Sequence, residues 1–311
     1  LIVGFGSIGC RHAQSFLDKK KEYDLHIVEP SDKNIEQNII RINAIKSNFK
    51  WYKNIKDAPI TDIAIVATPS SPRFKIVKNL IMMGYKKFLL EKIVFQSENQ
   101  FKTILKMMKK NNCIAYCNFV NRYFIAYNKI KKKLEKSNTK ININVNGGAF
   151  GLGCNAIHYV DLLQYLTKNN NIELKNSQLQ LLDNGNPRGS NYSEFFGLLE
   201  LATDDGDTIS IKSEINKVRD QTISISQGLR TFFLNENTGK FKYDNKSVKG
   251  EDDFNIIPSS ELTSTIVNDI LNNDCRLTQI NQTMLSHSML FKAFNNALNN
   301  FHSPSTLCPI T

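Results

Sequence analysis

No apolar run in the 311 residues approaches the roughly 18–20 needed to cross a bilayer, so no membrane association is expected. Nothing ahead of the first strand pattern reads as a secretory signal. The six cysteines (Cys10, Cys113, Cys117, Cys154, Cys275, Cys308) form no CxxC pair. A chain this long needs no disulfide scaffold, so the usage fits a reducing cytoplasm. Cys113 and Cys117 lie along one strand pattern, which argues against a metal site there. Repeats and low-complexity linkers are absent. Acidic residues are the scarcer charge, 29 Asp+Glu against 40 Lys+Arg, for a net +11. With 41% apolar and 22% charged residues the balance is globular, which excludes disorder and collagen-like fibres. Lys, Asn and Ile are all abundant, and the lysine clusters (Lys19–Lys21, Lys53 and Lys56, Lys86–Lys87, Lys109–Lys110, Lys131–Lys133) are read mainly as solvated faces. No nucleic-acid-binding module accompanies the charge, so a nucleic-acid partner is not expected. A basic surface does favour an anionic cofactor or substrate.

The length suits two domains, each with its own core. Leu1-Ile2-Val3 runs straight into Gly4, and so short an opening strand without Met predicts that a few residues precede Leu1. Helices are expected over Ile8–Lys19, Asp32–Ile45, Pro72–Met83 and Asn99–Lys110. Strands are expected over Asp24–Glu29, Asp62–Ala67, Lys87–Leu90 and Cys113–Asn118. That alternation predicts a doubly wound parallel sheet. A helix near Tyr127–Glu135, a strand at Lys140–Val145, a glycine-rich approach at Gly147–Gly153 and a helix over Asn155–Leu166 follow. Strands then dominate from Ser177 to Lys242, among them Phe195–Ala202, Thr208–Ile215 and Thr222–Ser226, and helices at Ser259–Leu271 and Thr278–Asn300 close the chain. The change of style divides it into 1–119 and an α+β part, 120–311.

Gly4-Phe5-Gly6-Ser7-Ile8-Gly9 is GxGxxG between a strand and a helix. The first glycine permits the turn, the second lets a pyrophosphate reach the backbone, and the third lets helix pack on strand. The N–H groups at the start of the helix, from Ser7 and Ile8 onward, then face the phosphates with a partial positive charge. Glu29 lies twenty residues beyond Gly9, where an acidic side chain accepts hydrogen bonds from an adenosine ribose. Its charge would repel a 2′-phosphate, favouring NAD, although Lys33 leaves room for NADP.

With Glu91-Lys92 at the end of a strand, the chain resembles the Gfo/Idh/MocA oxidoreductases. Gly4–Gly9 with Arg11-His12 is similar to that family's first turn, and Ala67-Thr68-Pro69 to its segment beside the cofactor. Glu91-Lys92-Ile93 resembles its Glu-Lys-Pro motif, and His158-Tyr159-Val160-Asp161 its His-x-x-Asp. The resemblance implies a Rossmann domain followed by an α+β domain with an open, mainly antiparallel sheet. It implies oxidation or reduction of a carbinol or carbonyl carbon on a sugar, polyol or nucleotide-sugar, in a homodimer or homotetramer. Gly4, Gly6, Ser7, Ile8, Gly9, Glu29, Thr68, Pro69, Glu91 and Lys92 would then hold the dinucleotide. Lys92 would hydrogen-bond the reacting oxygen and His158 would be the general acid/base. Asn121 and Arg122 match the family's Asn-Arg pair more loosely. Three departures stand out: Ile93 in place of proline, Cys154 four residues before His158 where several members carry Asp, and Arg73 or Phe74 where a His often stands. Cys154, His158 and Asp161 share one helical face, so Asp161 is a candidate to orient His158 in place of the missing carboxylate. His12 and His287 are expected to be packing or surface residues. A regulator that senses the dinucleotide without catalysis is the alternative, motivated by Ile93 and Cys154. A transient use of NAD in elimination or glycosidic cleavage is a third reading.

Overall fold

The computed structural model describes residues 1–17, 23–42, 49–134, 139–182, 189–215, 221–245, 248–253 and 256–311. The expected helix ends at Lys19, Ile45 and Glu135 and the Lys19–Lys21 cluster lie outside the described residues. The described chain packs as two compact units.

The first unit comprises residues 1–95, 100–118 and 257–281. Its six strands are β1 (Ile2–Val3), β2 (His26–Val28), β3 (Lys50–Tyr52), β4 (Ala64–Val66), β5 (Lys87–Leu90) and β6 (Ile114–Cys117). All pair in parallel in the order β3-β2-β1-β4-β5-β6. Every residue of β1, β2 and β4 is buried, as a sheet covered on both faces requires. Helices α1 (Ser7–Leu17), α2 (Asp32–Arg41), α3 (Ser70–Met83) and α4 (Glu98–Lys110) make the crossovers. Ser31 caps α2 by accepting the Asn34 N–H at 3.2 Å, and α3 stops at Gly84 in a left-handed cap. The order reverses between β1 and β4, so ligands are expected at the carboxyl ends of those strands. Strand β3 is too short and too exposed to signal itself by alternation. Helix α7 (Ser259–Leu271), which chain order alone puts in the second half, belongs to this unit and lies along α1. Lys87 Nζ donates to the Ile270 and Leu271 carbonyls at its carboxyl end, at 3.2 and 2.9 Å.

The second unit comprises residues 96–99, 119–256 and 282–311. Its sheet orders β14-β13-β12-β11-β7-β10-β9-β8 and is antiparallel except where β7 (Ile141–Gly147) meets β10 (Thr208–Ser213). The remaining strands are β8 (Ile172–Leu181), β9 (Phe195–Thr203), β11 (Thr222–Gln227), β12 (Arg230–Asn235), β13 (Lys240–Asn245) and β14 (Val248–Asp253). Strand β7 alternates strictly between buried Ile141, Ile143, Val145 and exposed Asn142, Asn144, Asn146. One face therefore holds the core while Asn, Ser and Thr line the other. Helix α5 (Ile125–Leu134) and the almost wholly buried α6 (Leu152–Thr167) belong to this unit, and α8 (Ile280–Ala297) contributes residues from 282 onward. The parallel sheet followed by a mixed, mostly antiparallel one is the expected fold class.

Candidate active site

The Gly4–Gly9 turn is set by close backbone approach. Gly4 has φ +92°, and a Cβ on it would meet Thr68 Cγ2 at 2.9 Å. At Gly9 a Cβ would lie 1.9 Å from the Gly4 carbonyl oxygen, whereas at Gly6 it would meet nothing within 4 Å. Gly6 opens instead on a cavity of about 860 Å³ confined to the first unit, walled by Val3, Glu29, Thr68, Pro69 and the Lys53–Asp57 segment. Ser7 opens α1 and is exposed, with Ile8 behind it.

Glu29 directly follows β2, which ends one residue earlier than expected, and its carboxylate already has work within the protein. Oε2 accepts the Phe5 N–H at 2.8 Å, and Oε1 accepts from Ser31 N and Asn34 Nδ2 at 3.1 and 3.3 Å. The glycine turn is therefore tied to the start of α2 before any ribose arrives. Thr68 Oγ1 and Asn118 Oδ1, both buried in this unit, have no partner among the described residues. An orphaned hydroxyl on the wall, an open glycine and a concave surface at the strand ends fit a dinucleotide.

Glu91 and Lys92 leave β5. His12, expected at a surface or in packing, is fully buried and reaches Glu91 Oε1 through Nε2 at 3.0 Å. Its Nδ1 lies 2.8 Å from Thr263 Oγ1, whose own proton goes to the Ser259 carbonyl at 2.7 Å. Both ring nitrogens are therefore engaged, one by the carboxylate and one by the hydroxyl. Asn118 Nδ2 also donates to Glu91 Oε1, at 2.5 Å. Burial alone would raise the Glu91 carboxyl. The His12 ring, the nearby Lys92 ammonium and the Asn118 amide outweigh it and bring the carboxyl down to about 2, from 4.5. A carboxyl depressed by folding stabilises above its unfolded value and loses that contribution as pH falls through its folded one. We expect Glu91 to contribute on the order of 3 kcal/mol that disappears between pH 4.5 and about 2. Glu91→Gln should flatten that limb of the urea-unfolding free energy against pH. An unchanged acid limb would show that Glu91 is not ionised against His12.

The Lys92–Ile93 peptide is cis. Around it lies Arg73, in the first turn of α3, with 1% of its surface exposed. Its Nη1 donates to the carbonyls of Glu91, at 2.5 Å, and of Ile93, and its Nη2 to that of Thr68.

In the second unit α6 carries Cys154, His158 and Asp161. The helix begins after Gly151 with no side chain of its own as cap. Glu194, ahead of β9, supplies the carboxylate, accepting the Gly153 N–H at 2.5 Å and the Phe195 N–H at 2.9 Å. The glycine-rich approach is thus pinned rather than loose at its helical end. Asp161, expected to orient His158, gives both oxygens to Arg122: Nε to Oδ2 at 2.9 Å and Nη2 to Oδ1 at 2.8 Å. Two residues singled out separately in sequence are one buried ion pair. His158 meets the Phe119 ring edge-on, centroids 5.8 Å apart. His287 is fully buried and donates from Nδ1 to the Thr283 carbonyl at 2.8 Å. Tyr127 and Tyr159 both donate to Glu236, at 2.7 and 3.0 Å, and burial raises that carboxyl despite them.

Residues 1–119 match the GFO_IDH_MocA model, described as an oxidoreductase family with an NAD-binding Rossmann fold. No curated protein matches by sequence. Among solved structures, the whole-chain fold is similar to an oxidoreductase from Agrobacterium radiobacter in complex with NAD+, L-tartaric acid and magnesium (TM-score 0.75, 12% identity, 96% of this chain and 95% of that one). It is also similar to UDP-N-acetylglucosamine 3-dehydrogenase GnnA from Acidithiobacillus ferrooxidans (TM-score 0.72, 12% identity, 96% and 97%). A third is a super-repressor mutant of Gal80p from Saccharomyces cerevisiae (TM-score 0.72, 13% identity, 96% and 95%). At these identities the likeness is one of fold, a fold shared by a dehydrogenase and by Gal80p alike.

Proposed function

We propose that the chain is an NAD-dependent oxidoreductase acting on the carbinol or carbonyl carbon of a sugar, polyol or nucleotide-sugar, with Lys92, His158 and Asp161 as its reactive set. The observation that carries the reading is the Gly4–Gly9 turn opening on the cavity beside Glu29 and Thr68. Gly4, Gly6, Ser7, Ile8 and Gly9 seat the pyrophosphate, and Thr68, Pro69 and Glu91 line its approach. A bound nicotinamide supplies or accepts the hydride. Glu29 faces the adenosine ribose with a carboxylate locked in place, and that fixed charge disfavours a 2′-phosphate, so NAD is preferred over NADP. Lys92 donates to the reacting oxygen and stabilises alkoxide character there. His158 takes or returns the hydroxyl proton, for which an imidazole is suited near neutral pH. Asp161 acts through Arg122, fixing the helix that carries His158. The tartaric acid complex and the UDP-sugar dehydrogenase among the neighbours support a hydroxylated substrate. A cytoplasmic homo-oligomer working in sugar metabolism is part of the same proposal.

The test is NADH consumption with a panel of keto-sugars and UDP-sugars. Lys92→Ala and His158→Ala are each expected to cut turnover about a hundredfold while NADH affinity, read by fluorescence, stays within about threefold and NADPH binds more weakly. Full activity in both variants would refute the site. A second reading, a dinucleotide-sensing regulator, is favoured by Cys154 where a carboxylate is expected and by the Gal80p likeness. NADH binding without turnover on any panel member would select it.

A further inference from the structure

The first turn of a helix is a poor place for a cation, because the helix dipole is positive there, and burying a guanidinium adds a desolvation cost. Arg73 has both disadvantages. It sits in the first turn of α3 and is among the largest fully buried side chains of the chain. Its planar fork meets the exits of two neighbouring strands: Nη2 takes the Thr68 carbonyl after β4, and Nη1 takes the Glu91 and Ile93 carbonyls after β5. A fourth carbonyl, that of Val94, lies farther off, 3.5 Å from Nη1.

We propose that Arg73 is a positioning residue, whose guanidinium fixes the backbone on both sides of Lys92 and aligns it with Thr68. The inference rests on the role given to Lys92 above. Residues 91 and 93 are held through their carbonyls, and the Glu91 side chain is held separately by His12 and Asn118. Proline would restrain the backbone after Lys92 through its ring. Ile93 has no such ring, and the Arg73 fork supplies the restraint through hydrogen bonds. Lysine cannot substitute, since one ammonium on a flexible stem does not span two strand exits.

The test needs no knowledge of the substrate. Sulfite adds reversibly to the nicotinamide ring of bound NAD+, and its equilibrium reads the positive charge presented to that ring. Lys92→Met is expected to weaken sulfite addition about tenfold, and Arg73→Lys by a similar factor, with the affinity of Arg73→Lys for NADH within about threefold of wild type. Arg73→Gln is made in parallel in case the lysine variant does not fold, and thermal unfolding is recorded for all. If Lys92→Met leaves sulfite addition unchanged, the role of Lys92 fails and this inference with it. If Lys92→Met weakens it but folded Arg73 variants behave as wild type, Arg73 alone is refuted. The proposal is also overturned if the Arg73 variants lose NADH affinity in proportion, or if neither folds, since Arg73 would then support the whole bed rather than Lys92.

Discussion

Gly9→Ala is expected to lower the thermal midpoint by about 5–10 °C and to abolish measurable NADH binding, whereas Gly6→Ala should leave the midpoint within about 2 °C and weaken NADH about tenfold. The two glycines lie three residues apart in one motif, and their surroundings are opposite. A methyl at Gly9 would sit 1.9 Å from the Gly4 oxygen. That obstacle is backbone, and Gly4 itself is held by its N–H to the Val28 carbonyl at 2.9 Å. The strain can be relieved only by moving α1 off β1, and overpacking of this kind costs on the order of 3 kcal/mol. A methyl at Gly6 meets no protein atom and costs the fold nothing, but it occupies the approach to the pyrophosphate. Calorimetry with fluorescence titration separates the two effects. Equal midpoints for the two variants would mean that the turn is not built as described.

The second large effect is expected at Asp161. Asp161→Asn should destabilise the protein by about 3 kcal/mol, because it leaves the Arg122 guanidinium facing an amide. Asp161 is 1% exposed and Arg122 15%, so solvent compensates little of the loss. Arg122 also lies over the Tyr165 ring, 5.1 Å from its centroid, and cannot swing out without giving up that contact. Replacing both partners, Arg122→Met with Asp161→Leu, should recover most of the stability, since the pair carries a desolvation cost that an apolar pair does not. Urea unfolding of the two variants against wild type measures this. A double variant no more stable than Asp161→Asn would show that the fork serves packing rather than charge neutralisation.

Whatever is local was legible in the sequence. The six-residue glycine motif and the acid just after β2 announce themselves by spacing, Lys92 stands out only through the family resemblance, and strand β5 falls on Lys87–Leu90 as expected. What was missed depends on partners far away in the chain. His12 reads as a helix-start residue until Glu91 and Thr263, 79 and 251 positions on, close around it. Arg73 reads as a departure from a pattern until three carbonyls from two strand exits are seen on its fork. Glu194 lies in a stretch with no motif, yet it caps a helix 41 residues earlier. Helical periodicity puts Asp161 on one face with Cys154 and His158, but says nothing of Arg122 arriving from before α5. Strands β12 to β14 carry too few apolar alternations to announce their own limits.

Helix α7 has a consequence for how the first unit is made. The ribosome delivers β1 through β6 within the first 117 residues, but the helix that lies along α1 and accepts the His12 ring is encoded from residue 259 onward. Until that stretch emerges, Phe16 and Ser15, buried in the finished protein, have an unfinished side facing water, and the His12 ring lacks one of its two hydrogen-bond partners. Synthesis in vectorial order therefore leaves the nucleotide fold waiting on a late arrival. A gene fragment ending near residue 119 would encode every strand of its sheet and still be one wall short.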